Sequence, residues 1–174
     1  LQEAQNLPTS CGVQGGRLIH HIAGKAAIWV PNCYHIRTAQ PHEFTSCFKE
    51  RTEHEQGIVR ERLASVVLTN CICVFSIYLP DSHKPLSEFM EAMSLITLII
   101  RSVNKMYISS TAGTDKFQIF IATDANTVLP ANAFLTGGFI APESRFLTAR
   151  KQEESVQRAQ EVSNLLSEFS CKAL

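Results

Sequence analysis

Apolar positions along this chain change their period twice. From Arg60 to Leu68, and again from Cys71 to Leu79, they crowd into short runs that include Val66, Val67, Ile72, Val74, Phe75 and Ile77. These β-branched and aromatic types pack well on a pleated surface, which predicts two strands. Thr69-Asn70 reads as the tight turn between them, and Pro80 closes the second. Beyond Pro85, the residues Phe89, Met93, Ile96, Ile100 and Val103 recur at steps of three and four. That spacing predicts a helix over 86–104 with one apolar face. Phe117 to Ala122 returns to a strand-like run. A strand–helix–strand unit of this kind sets its two strands parallel, with the helix on a sheet face. Tyr78-Leu79-Pro80 and Thr123-Asp124-Ala125-Asn126 then emerge at one edge of one sheet, where α/β folds build their sites.

The flanking segments are less regular. Leu18–Ile22 and Ala26–Val30 are short strand candidates separated by Gly24-Lys25, and Tyr34–Thr38 is a third. Residues 39–57 mix charge and turn formers without a period, which predicts a long, mobile surface loop. Residues 128–147 also read as loop. A second helix is expected over 148–169, with Val156, Ala159, Val162, Leu166 and Phe169 as its apolar stripe. Arg150 with Glu154, and Arg158 with Glu161, are spaced for ion pairs on its solvated face.

Composition narrows the class. The chain has 174 residues, 45% of them hydrophobic and 18% charged, enough for one domain with a real core. Lys plus Arg equals Asp plus Glu at 16 each, so bulk charge lends no support to nucleic-acid binding, which rests largely on phosphate contacts. It leaves room for an enzyme that holds phosphate through a metal and a few local cations. The six cysteines, Cys11, Cys33, Cys47, Cys71, Cys73 and Cys171, lack the paired spacing of a tetrahedral zinc site. They read as free or buried thiols of an intracellular, reducing compartment, the nucleus included, with disulfides as the alternative. The longest apolar run, Val66 to Leu79, is broken by Asn70 and is too short for a bilayer span, so no membrane association is expected.

Asp124 and Asn126 stand two residues apart at a strand end. In extended backbone they face the same way and reach one metal-bound phosphate. In a turn they are ordinary turn formers. The wider pattern bears on that choice. Leu1-Gln2-Glu3, then Ile77-Tyr78-Leu79-Pro80-Asp81-Ser82, then a helix, then a strand ending Thr123-Asp124-Ala125-Asn126, resembles the endonuclease/exonuclease/phosphatase superfamily. The similarity is greatest to the endonuclease domains linked to reverse transcriptases in retroelements. It spans nearly the whole chain, although each motif is short.

The resemblance implies a role for each matching residue. Glu3 would be a Mg²⁺ ligand. Tyr78 would hydrogen-bond the scissile phosphate. Asp124 would position or deprotonate the attacking water, and Asn126 would bind the phosphate or hold that water. Lys84 lies where relatives carry a phosphate-contacting cation, a solvated loop lysine being the plain alternative. Phosphodiester hydrolysis needs an in-line water, neutralised phosphoryl oxygens and a stabilised leaving group, and a hard Mg²⁺ supplies the last two. An acid beside the metal can take the proton.

The departures from the family pattern are specific. Thr123 stands where the family has glycine, and no histidine follows His83, so the family's closing Ser-Asp-His motif is absent. The resemblance therefore implies an incomplete domain over 1–174, inactive as an isolated chain. The fold class expected is α/β (α+β): a mixed β-sheet with flanking helices, a partial four-layer αββα sandwich lacking much of its second sheet. A face left without its partner would be apolar and exposed, or covered by a partner chain. The function implied is a Mg²⁺-dependent phosphodiesterase, most simply a DNA endonuclease, with another phosphoester as a variant. The reading from a different class is a structural or partner-binding subunit derived from this fold.

Overall fold

The computed structural model describes residues 15–69, 71–110, 118–124 and 149–169. Its architecture is α+β, a mixed sheet with flanking helices. Among these described residues six strands are present: β1 (Gly16–His20), β2 (Ala27–Pro31), β3 (Ile36–Ala39), β4 (Leu63–Leu68), β5 (Ile72–Tyr78) and β6 (Gln118–Asp124). The four helices are α1 (Ser46–Lys49), α2 (Glu53–Arg62), α3 (Leu86–Ser110) and α4 (Ala149–Glu168), and a 3₁₀ turn covers Pro41–Phe44.

The main sheet has the order β3-β4-β5-β6, with β5 and β6 parallel and the other pairs antiparallel. The α3 crossover makes the parallel pair, as the change of period predicts. The expected stripe Phe89, Met93, Ile96, Ile100 and Val103 is buried throughout. It packs on the Cys73, Phe75 and Ile77 face of β5, together with α1, α2 and α4. Truncating Phe89 to alanine there is expected to cost about 3–5 kcal/mol, the usual loss for a fully buried aromatic. The opposite face carries the second sheet, the β1–β2 hairpin, through Ile19, Val30, Val66 and Leu68. Strand β4 lies between the two layers and is buried at every position, which is why its sequence runs apolar without alternation.

Several expectations are corrected. Residues 39–57 are not a long loop: they hold the 3₁₀ turn, α1 and the start of α2. The α2 N-terminus has a capping box, in which the Thr52 side chain accepts from the Glu55 amide and the Glu55 carboxylate accepts from the Thr52 amide. Such a cap satisfies two orphan N–H groups and fixes the start of a helix. The strand expected from Arg60 starts only at Leu63, because α2 continues through Arg62. At the β4–β5 connection Cys71 adopts a left-handed φ of 62°, a conformation uncommon for a residue with a Cβ. In α4, Val156 is 68% exposed and Leu165 is buried in its place, while Arg158 turns inward and forms no surface pair. Cys33, Cys47, Cys71 and Cys73 are free thiols. Cys11, Cys171, Asn70 and the 128–147 stretch lie outside the described residues.

Candidate functional site

The parallel ladder sets Tyr78 beside Asp124, the last residues of β5 and β6. Cα partners on neighbouring strands share a face, so both side chains project toward the hairpin side of the sheet. The ladder continues one step further, the Leu79 amide donating to the Asp124 carbonyl at 3.0 Å. Asp124 is exposed and Tyr78 half-buried. Thr123 continues β6 opposite Ile77 without a positive φ. Its side chain faces the helices, away from Asp124, and its hydroxyl is buried with no hydrogen-bond partner among the described residues.

Glu3 and Asn126 lie outside the described residues. Of the expected set, the fold therefore brings together Tyr78 and Asp124. Lys84 stands in the exit loop after β5, where its Nζ is 3.8 Å from Glu88 Oε2. That glutamate also accepts from Arg62 Nη2 at 2.9 Å. Lys84 is 54% exposed, a solvated loop lysine with Glu88 at the start of α3 as a surface partner.

The exit loop is held by a residue that sequence reasoning placed at the surface. Arg158, 2% exposed, donates from Nη1 to the Pro80 carbonyl at 2.9 Å and the Asp81 carbonyl at 3.1 Å. Its Nη2 donates to the Lys84 carbonyl at 2.7 Å. The guanidinium also lies over the Phe89 ring, 4.7 Å from the centroid. Burial pushes its pKa down, with Glu154 and Asp81 opposing. The planar fork suits several carbonyls at once, which a lysine cannot reproduce. Within the loop the Asp81 carboxylate accepts from the His83 amide at 2.9 Å. Arg158 and Val162 are four residues apart, so their shared stripe was the available signal.

The β1–β2 turn reaches the same edge. Its Lys25 amide donates to the Glu61 carbonyl at 2.7 Å. Gly24 passes so close that an added Cβ would lie 2.9 Å from the Arg60 carbonyl oxygen, which explains a glycine here. The Lys25 Nζ is 2.6 Å from Glu61 Oε1 and 5.5 Å from the Tyr78 ring centroid. The hydrogen bond from Lys25, with Arg62 and Lys84 adding, holds the Glu61 carboxyl below its ordinary range. Sequence reasoning saw Gly24-Lys25 only as a separator between strands.

Chemically, this edge offers a carboxylate and a phenol on one face, with an ammonium above the phenol. Among the described residues no three His, Cys, Asp or Glu side chains gather around a metal-sized space. The oxygen donor that is present, Asp124, is of the kind a hard cation takes, and Mg²⁺ needs only one or two carboxylates beside water. No family model matches the chain, and neither a curated protein nor a solved structure matches it.

Proposed function

We propose that the chain is a Mg²⁺-dependent phosphodiesterase fold of the endonuclease/exonuclease/phosphatase type that binds a nucleic-acid phosphodiester at the β5–β6 edge and hydrolyses it poorly by itself. The supporting observation is the juxtaposition of Tyr78 and Asp124 at the ends of parallel strands. Asp124, with Glu3 by resemblance, would hold the cation, which supplies charge neutralisation to the phosphate. Tyr78 would donate a hydrogen bond from its hydroxyl to a phosphoryl oxygen, with the clamped 80–84 loop holding the end of β5. Within these 174 residues no histidine follows His83, and a catalytic unit short of one member turns over orders of magnitude more slowly, so poor turnover is the expectation for these residues alone.

The experiment pairs DNA binding with plasmid nicking. A labelled DNA oligonucleotide should bind more tightly in MgCl₂ than in EDTA, and Asp124→Ala should remove that difference. Nicking by the wild type should not exceed the Asp124→Ala background. Mg²⁺-independent affinity, or an unchanged Asp124→Ala variant, defeats the site. Rapid nicking that Asp124→Ala abolishes defeats the claim of poor turnover.

One observation favours the second reading, a partner-binding subunit. On β6 the Gln118, Phe120, Ala122 and Asp124 side carries exposed residues, with Phe120 42% exposed. Association that Phe120→Asp abolishes, without any Mg²⁺-linked DNA binding, would select it.

A further inference from the structure

We propose that Lys25 is the phosphate-contacting cation of this site, in place of Lys84. This rests on the phosphodiester reading and adds a residue that no family motif assigns. Three elements converge on Lys25. The β1–β2 turn carries it, the end of α2 anchors it through the hydrogen bond that its backbone amide donates to the Glu61 carbonyl, and the end of β5 places Tyr78 beneath its ammonium. Tyr78 is in turn the ladder neighbour of Asp124, on the sheet face that the hairpin overlies. A phosphodiester bridging the Tyr78 hydroxyl and a cation at Asp124 would therefore lie beside the Lys25 ammonium.

The hydrogen-bonding capacity fits. An ammonium has three N–H donors, and Glu61 takes one at 2.6 Å. The Lys25 side chain is 52% exposed, so the remaining donors face solvent and can turn to an anion. Glu61 acts here as a positioning residue, holding the flexible stem above Tyr78 before the ligand arrives. Lys84 is as exposed, at 54%, and differs in position: its ammonium is 3.8 Å from Glu88 Oε2 at the base of α3, whereas that of Lys25 lies over the Tyr78 ring.

The probe is dimethyl phosphate, the smallest phosphodiester, titrated in MgCl₂ while backbone amide shifts are followed. The shifts of Lys25, Tyr78, Leu79 and Asp124 should move together in the wild type. Lys25→Met, which keeps the apolar stem over Tyr78, should weaken the fitted dissociation constant about tenfold, the usual size of a lost charge-assisted hydrogen bond. Lys25→Arg should stay within about threefold of wild type, and Lys105→Ala, on an exposed position of α3, should not differ. A thermal melt of each variant separates loss of binding from loss of folding. Unchanged affinity in Lys25→Met, or affinity lost in Lys84→Ala alone, overturns the role of Lys25 while leaving the site standing. Shifts absent from this edge altogether overturn both.

Discussion

The His42 ring packs edge-on against Phe48, with 5.6 Å between centroids, and hydrogen-bonds through Nδ1 to Ser65 Oγ at 2.6 Å. Its Nε2 is buried and has no partner among the described residues. Burial, with electrostatic interaction with His21 and Arg60 adding, lowers its pKa from 6.5 to about 3. The folded state therefore holds the ring neutral, whereas the unfolded chain protonates it near the ordinary value. Its stabilising contribution is complete above pH 6.5 and is lost as pH falls from there toward 3. At 1.36 kcal/mol per unit this amounts to roughly 5 kcal/mol by pH 3. The melting temperature of the wild type should fall more steeply between pH 6.5 and 4 than that of His42→Gln, a change that replaces the titrating ring by a neutral amide. Parallel profiles would contradict this account. None of it was legible in the sequence, where His42 sits in a polar stretch, Gln40 to Glu43, that reads as surface. The burial comes from the 3₁₀ turn folding under β4, a tertiary event that local pattern does not record.

At the scale of elements, α4 matters through one side chain. Arg158 is desolvated, and its cost is offset by the carbonyls of Pro80, Asp81 and Lys84 and by the Phe89 ring. Removing the guanidinium leaves these carbonyls without their donor, at about 1–3 kcal/mol for each one that stays buried and unsatisfied. Arg158→Met should lower stability by an amount of that order, and Arg158→Lys should recover only part of it. In both, the Lys84 amide, which donates to the Asp81 carbonyl at 3.1 Å, should exchange with deuterium faster than the amides of β4. Equal protection of that amide in wild type and variants would show that the loop does not depend on α4.

The sequence foretold elements unevenly for related reasons. Helix α3 was readable because its whole stripe is apolar and buried. Helix α2 was not, since its inward positions include Val59 and the charged Arg62. Its Thr52-x-x-Glu55 cap was nonetheless present as a start signal. In α4 the apolar stripe was placed slightly off its true axis, which put Val156 inside and Arg158 outside, the reverse of what the fold shows.

Across the whole molecule, the layers explain where a site can form. Helices α1 to α4 lie on one face of the main sheet, and the hairpin covers β4 and the near half of β5 on the other. The hairpin layer does not bury the outer face of β6, where Phe120 is exposed. Tyr78 lies at the boundary, under the hairpin turn and beside the end of β6. The convergence of Tyr78 and Asp124 was legible because a helical crossover fixes the direction of both strands. The approach of Lys25 was not, because nothing in the sequence says on which face the hairpin lands.

The proposed function requires that a hard divalent cation bind at this edge. It is tested most directly by titrating substoichiometric Mn²⁺, which favours the same oxygen ligands as Mg²⁺, and following paramagnetic broadening of the backbone amides. The signals of Asp124, Leu79 and Tyr78 should broaden first, and Asp124→Asn should abolish the effect. Broadening centred elsewhere, for instance on the surface pair of His54 and Glu91, or undiminished in Asp124→Asn, would contradict it.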